Sequence, residues 1–211
     1  MPTPSSAPIR VLIVDDHAVV REGIAALLSR QPDMAAVGEA ADGAEAIARF
    51  AELSPDVTLM DMQMSGMGGV EAIEQIKRLA PEARILVLTT YPGDAHVVRA
   101  IRAGAAGYLL KNCIRKELLD AIRSVHAGRR TMSPDVAHDL AMHALDEPLT
   151  ERELAILRLV ADGHPNKRIA GHLELSTDTV KAHLKSVFAK LGVDDRTEAV
   201  TVAARRGFIQ R

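Results

Sequence analysis

The sequence has little cysteine, no long apolar run and almost no excess of either charge. One cysteine, Cys113, among 211 residues excludes an intramolecular disulfide and a cysteine-based zinc cluster, and it suits a reduced, cytoplasmic compartment. The uncharged apolar runs are a few residues long, far short of the ~20 that a membrane span requires, so no membrane association is expected. Residues 1–8 (Met-Pro-Thr-Pro-Ser-Ser-Ala-Pro) have neither a basic flank nor an apolar core. They are expected to form a disordered lead-in rather than a signal peptide.

The net charge of -2 hides a division along the chain. Residues 1–126 hold 13 Lys and Arg against 16 Asp and Glu, residues 127–147 hold 2 against 4, and residues 148–211 hold 11 against 8. An acidic body followed by a modestly basic tail points to nucleic acid at one end only.

Ile9–Val14 is a β-branched run that stops at Asp15-Asp16, as a buried strand feeding a loop does. Similar runs follow at Met34–Glu39, Val57–Met60, Ile85–Leu88 and Tyr108–Leu110. Between them lie helical patterns at Ala44–Leu53, Val70–Leu79 and Ala95–Ala103, the last with Asp94 as its cap, and a final one carrying Leu118, Ile122 and Val125. Strands alternating with helices of this length make a parallel sheet of βα units. Residues 9–126 are therefore expected to form a five-stranded, doubly wound α/β domain. Residues 127–147 carry turn signals at Gly128, Pro134 and, just beyond, Pro148, and read as a linker with room for one short helix. From residue 148 onward only helical patterns appear, at about 151–161, 166–173, 177–191 and 195–206.

In open parallel sheets the chemistry gathers beyond the carboxyl ends of the strands. Those ends carry Asp15, Asp16, Asp61, Thr89 and Lys111. Three converging carboxylates repel one another, and a hard divalent cation such as Mg²⁺ relieves the repulsion. An Asp carboxylate is also a nucleophile that can form an acyl phosphate, with Lys111 and Thr89 as charge and hydroxyl partners for the phosphoryl group. Taken one at a time these residues have ordinary explanations, as helix cap, strand residue and solvated charge. Their order along four strand ends is what carries the reading.

The segment Val14-Asp-Asp-His-Ala-Val-Val-Arg-Glu-Gly23, with Asp61, Leu88-Thr-Thr90 and Gly107-Tyr-Leu-Leu-Lys111, resembles the receiver domain of NarL/FixJ-type two-component response regulators. That fold is flavodoxin-like. The resemblance implies that Asp61 is the phosphoacceptor and that Asp15, Asp16 and Asp61 hold Mg²⁺ with the backbone carbonyl of Gln63. It makes Thr89 and Tyr108 the switch pair and Lys111 the phosphate lysine. The sequence departs from the family pattern at Ser65, where proline is usual, and at Asn112, where aspartate is usual. Ser65 removes a fixed φ from the loop after the phosphoacceptor.

In the tail, Ser176 is a good N-cap for a helix that carries Val180, Leu184, Val187 and Leu191 on one stripe and Lys181 and Lys185 on another. A short helix at 166–173 and a tight Glu174-Leu175 connection complete a helix-turn-helix. Leu149-Thr-Glu-Arg-Glu-Leu-Ala-Ile-Leu157, Asn166-Lys-Arg-Ile-Ala170, Thr179-Val-Lys-Ala-His183 and Lys190-Leu-Gly192 are similar to the LuxR-type DNA-binding domain, over about 148–211. That similarity implies base-edge positions at Lys181, Ala182 and Lys185, and phosphate positions at Thr179, Lys167, Lys190 and Arg196. His183 matches the family's histidine, while Glu153 suits a structural role. Arg168 stands where the family has glutamate. The last helix offers Ala199, Val200, Val202 and Ala203 as an apolar dimerisation surface.

The resulting expectation is a DNA-binding transcription regulator, phosphorylated on Asp61 by a sensor histidine kinase and acting on double-stranded DNA as a homodimer. It is not an enzyme beyond its own phosphorylation and dephosphorylation. Two other readings stay open on the residues: a Mg²⁺-dependent aspartyl-phosphate hydrolase, and a phosphorylation-independent DNA-binding protein whose receiver is a dimerisation scaffold.

Overall fold

A computed structural model describes residues 7–90, 94–112, 115–143 and 146–209. Most of the expected lead-in, Cys113 and the side chain of Asp94 lie outside the described residues. The chain divides into two compact units, residues 1–90 with 97–137 and residues 91–96 with 138–211.

The first unit alternates strand and helix: β1 (Ile9–Val14), α1 (Ala18–Leu28), β2 (Met34–Ala40), α2 (Gly43–Leu53), β3 (Val57–Met60), α3 (Gly69–Leu79), β4 (Ile85–Thr89), α4 (Asp94–Ala103), β5 (Gly107–Leu110) and α5 (Arg115–His126). All its strands pair in parallel, in the order β2-β1-β3-β4-β5 with one further strand beyond β5. The strands β3, β4 and β5 are buried at every position, Thr58 and Thr89 included, because helices cover both faces of the sheet. On one face Val11, Ile13, Leu59, Leu86 and Leu88 pack with Ile24 and Leu28 of α1 and Leu118, Ile122 and Val125 of α5. Each such side chain contributes about 1.5–3 kcal/mol by leaving water.

Two features of this unit were not marked by periodicity. Helix α1 is rich in small and β-branched residues and buries only Ile24 and Leu28, so its polar–apolar contrast is low. The second feature corrects the expected strand count, since a sixth strand, β6 (Thr131–Met132), runs parallel to β5 inside the segment read as a linker. The same segment holds α6 (Pro134–Met142), the short helix for which room was left. Two residues are too few to show a period, but the seat for β6 is built by Gly107: a Cβ there would lie 2.7 Å from Thr131 Cγ2 and 2.8 Å from Leu86 Cδ1. The backbone N–H of Ser133 then donates to the Tyr108 carbonyl at 3.1 Å.

The second unit contains α7 (Glu151–Ala161), α8 (Asn166–His172), α9 (Thr177–Leu191) and α10 (Arg196–Arg205). Thr150 and Glu153 form a reciprocal capping box at the start of α7. Ser176 caps α9 by accepting from the Thr179 N–H, and Gly192 ends it at φ 65°. The turn between α8 and α9 places Glu174 at φ 54°, the left-handed conformation that makes the connection tight. Val180, Leu184, Val187 and Leu191 are buried, as the stripe in the sequence predicted.

Helix α10 requires a correction. Ala199 and Ala203 are 0% exposed and pack against Leu157, Val187 and Leu191, while Val200 and Val202 are half-buried against the same core. Ala199 and Ala203 thus close the unit's own interior, and Val200 and Val202 keep part of their surface open. An apolar stripe looks the same in sequence whether it is buried within a domain or between two.

Candidate functional site

The register of the sheet assembles the acidic pocket. Val14 of β1 lies opposite Met60 of β3, so the chains leave the sheet side by side as Asp15 and Asp61, and the Asp61 N–H donates to the Val14 carbonyl at 2.9 Å. Asp15 and Asp61 are 2% and 3% exposed, whereas Asp16 opens to solvent. From the end of β5 the Lys111 ammonium reaches both buried carboxylates, at 2.7 Å from Asp15 Oδ2 and 2.8 Å from Asp61 Oδ2. The Lys111 N–H donates to the Thr89 carbonyl at 2.6 Å, which fixes the root of that side chain.

The charges in this pocket are not balanced. Burial pushes the Asp61 carboxyl above its ordinary range, against the pull of Lys111, and the charge of Asp15 adds to the rise. Burial disfavours the Lys111 ammonium, but the two carboxylates outweigh it and hold that pKa above the ordinary lysine value. One lysine thus faces two buried carboxylates, with Asp16 beside them. Asp15, Asp16, Asp61 and His17 each offer one ligand atom, all within 4.8 Å of one another. Three carboxylates partly neutralised by one lysine are a hard-oxygen donor set that fits a divalent cation such as Mg²⁺.

The loop beyond Asp61 is bound closely to it. The Met62 N–H donates to Asp61 Oδ1 at 2.7 Å, and the Gln63 N–H also bonds that carboxylate. Gly69 lets α3 begin against this loop, because a Cβ there would lie 2.2 Å from the Asp61 carbonyl. Ser65 and Asn112, the two departures from the family pattern, are exposed and outside these contacts. Thr89 and Tyr108 are each 1% exposed and hydrogen-bond to one another; burial raises the Tyr108 phenol far above its ordinary value, so it stays neutral. Asp15, Asp61, Thr89 and Tyr108 are thus buried, Lys111 ties the two carboxylates together, and Asp16 and Gln63 are more open. Gly69 and Gly107 went unmarked in the sequence, where a glycine that admits close backbone approach looks like any other.

The basic residues of the second unit fall into two groups. Lys167, Lys181, Ala182 and Lys185 are exposed. Lys181 pairs with Asp178 at 3.0 Å, a surface pair that costs little to break. Lys185 and Lys167 have no ionic partner among the described residues. Lys190 is different. Its ammonium lies 2.9 Å from Glu153 Oε2, 3.2 Å from Glu147 Oε1 and 3.2 Å from the Pro148 carbonyl, and its side chain is 9% exposed. Arg196 is also committed, donating to the carbonyls of His164 and Val160 and to Asn166 Oδ1. The Thr179 hydroxyl is engaged with Ser176 Oγ in the helix cap, and His183 is half-buried. Buried Glu153 overcomes its desolvation by accepting from Ser186 Oγ, the Thr150 N–H, Lys190 and Thr150 Oγ1, which holds its carboxyl down at about 2. Among the described residues no helix is long and apolar enough to cross a membrane.

Comparison with known proteins agrees with both halves. Residues 11–123 match the response regulator receiver domain family, and residues 147–203 match the luxR family of bacterial regulatory proteins. The response regulator protein VraR of Staphylococcus aureus is 44% identical over 207 residues, covering 96% of this chain and 99% of that one. Among solved structures, RcsB of Salmonella enterica serovar Typhimurium, bound to a promoter in the presence of a phosphomimetic, has a TM-score of 0.74 at 29% identity, covering 93% of this chain and 98% of that one. The response regulator ChrA of a heme-sensing two-component system has a TM-score of 0.59 at 38% identity, covering 97% and 100%. The chain belongs to the NarL/LuxR class of two-component response regulators, transcription regulators in which a receiver domain precedes a LuxR-type helix-turn-helix DNA-binding domain.

Proposed function

We propose that Asp61 is the phosphoacceptor through which a sensor histidine kinase switches this regulator, and that residues 9–126 and 148–211 are its receiver and DNA-reading domains. The observation that carries the reading is the Asp61 carboxylate itself, buried and held, among the described residues, by Lys111 and two backbone N–H groups. In the transfer step an Asp61 oxygen attacks phosphorus, the P–N bond to the kinase histidine breaks, and the imidazole leaves with the bond's electron pair. The product is an acyl phosphate on Asp61. A Mg²⁺ ion held by Asp15, Asp16, Asp61 and the Gln63 carbonyl would supply positive charge to the phosphoryl oxygens. Lys111 shifts its ammonium from the Asp61 carboxylate to the new phosphate, and the Thr89 hydroxyl donates to it, leaving its contact with Tyr108. A change at Thr89 therefore reaches Tyr108, a buried side chain that can settle in a second position.

In the second unit, Lys181, Ala182 and Lys185 of α9 face base edges and Lys167 faces a phosphate, while the side chains of Thr179, Lys190 and Arg196 hold the reader in shape. Two copies on DNA would read half-sites about one helical turn apart. The test is incorporation of a phosphoryl group from acetyl phosphate with Mg²⁺, followed by intact-protein mass spectrometry. One phosphoryl group on the wild-type chain and none on Asp61→Asn is expected. Equal incorporation in both would remove Asp61 from its role.

A further inference from the structure

Both backbone groups of Asp15 are tied to the end of β2. Its N–H donates to the Ala40 carbonyl at 3.1 Å. Its carbonyl accepts from Arg21 Nη1 at 2.6 Å, and Arg21 Nε in turn pairs with Glu39 Oε2 of β2 at 3.1 Å. Arg21 stands in the first turns of α1 with its side chain only 17% exposed, so its guanidinium fork spans from the strand edge to the turn that carries the acidic pair. A planar, permanently charged fork is the side chain suited to hold two acceptors in one geometry. The bond to the Asp15 carbonyl fixes the peptide plane between Asp15 and Asp16. That plane sets where the Asp16 backbone stands, while His17 Nδ1 at 2.7 Å holds the carboxylate of Asp16, the solvent-open member of the set.

We infer that Arg21 is the positioning residue of the cation site: it touches neither the metal nor the phosphoryl group, and it sets the affinity for the divalent ion by holding the peptide between Asp15 and Asp16. The inference rests on the reading of Asp15, Asp16 and Asp61 as ligands. Residues that orient ligands from outside the coordination sphere typically govern about 10- to 100-fold in metal affinity. Arg21→Ala is therefore expected to raise the Mg²⁺ dissociation constant about tenfold. Arg21→Lys should raise it by a smaller factor, since an ammonium keeps one contact but not the fork. Glu39→Gln retains an acceptor for Nε and leaves the Asp15 contact intact, so its affinity should stay within about twofold of wild type.

The experiment is calorimetric titration of the full chain and the three variants with MgCl₂, with thermal melting of each protein and acetyl phosphate labelling across a Mg²⁺ series. Support is a raised dissociation constant in the Arg21 variants without a matching loss of melting temperature, and labelling of Arg21→Lys restored at saturating Mg²⁺. If Arg21→Ala fails to melt cooperatively, Arg21→Lys decides. Wild-type affinity in a folded Arg21 variant overturns the inference, and so does labelling that stays depressed at saturating Mg²⁺. A wild-type chain that binds no Mg²⁺ would overturn the cation site itself and the inference with it. Normal binding by wild type and Arg21→Lys alike would overturn Arg21 alone.

Discussion

Each half of this molecule contains a lysine against a buried carboxylate, and the two pairs differ in what surrounds them. Around Glu153 every acceptor is used: a capping N–H, two hydroxyls and the Lys190 ammonium hold the carboxyl at about 2. Around Asp61 the pairing lysine, Lys111, is shared with Asp15, burial outweighs the pairing, and the carboxyl is pushed up instead. A satisfied carboxylate is a structural tie that seals the junction of α7 and α9. An under-compensated one holds free energy that a cation or a phosphoryl transfer can release. The difference lies in how deep the carboxylate is buried and how many donors meet it, not in residue type.

That contrast can be attacked from both sides. Lys111→Ala should have the largest effect, lowering acetyl phosphate labelling about 100-fold by removing the fixed charge that receives the phosphoryl oxygens. Timed intact-mass measurements would report it, and a rate close to wild type would mean that the lysine is only a structural partner. Glu153→Gln should destabilise the DNA-reading unit by about 2 kcal/mol, because it leaves the Lys190 ammonium and its hydroxyl donors facing a neutral amide. Urea unfolding followed by circular dichroism would measure this.

The same carboxyl gives the account a pH signature. Its folded value of about 2 lies below the ordinary 4.5, so its stabilisation is fully present above about 4.5 and is lost as the pH falls toward about 2. Acid titration of the wild type should show that slope and Glu153→Gln should lack it; parallel slopes would assign the acid sensitivity elsewhere. On the DNA side, Lys185→Ala should weaken specific binding by about 1.5 kcal/mol, roughly tenfold, since its ammonium has no competing ionic partner among the described residues. Arg196→Gln should leave the salt dependence of binding unaltered, because that guanidinium is already spent on carbonyls. A salt slope reduced by about one would place Arg196 at a phosphate after all.

Most of the framework was legible in the sequence because it is written in periodic signals. Apolar runs ending in Asp15-Asp16, Asp61, Thr89 and Lys111 located the strand ends, and a parallel sheet can bring those ends together in few ways. The Val180–Leu191 stripe and its Ser176 cap defined α9 to the residue. Other features could not be read because their information lies in three dimensions. Two residues of β6 carry no period, and the glycine that admits them, Gly107, matters only because of where Thr131 lies. Ala199 and Ala203 had the right composition for an interface, but the small second unit needs them for its own core. Lys190 and Arg196 resemble phosphate contacts until Glu153 and the carbonyls around Arg196 come into view. Charge in a sequence shows availability only where nothing in the fold consumes it.

The central claim is that chemistry at Asp61 governs DNA occupancy by the helical half. Genome-wide DNA-binding mapping of the wild-type chain beside Asp61→Ala, in cells producing equal amounts of each, tests it most directly. The account predicts discrete promoter occupancy for the wild type that is lost or sharply reduced in Asp61→Ala. Identical occupancy maps would contradict it and leave the receiver as a scaffold for a DNA-binding protein that does not depend on phosphorylation.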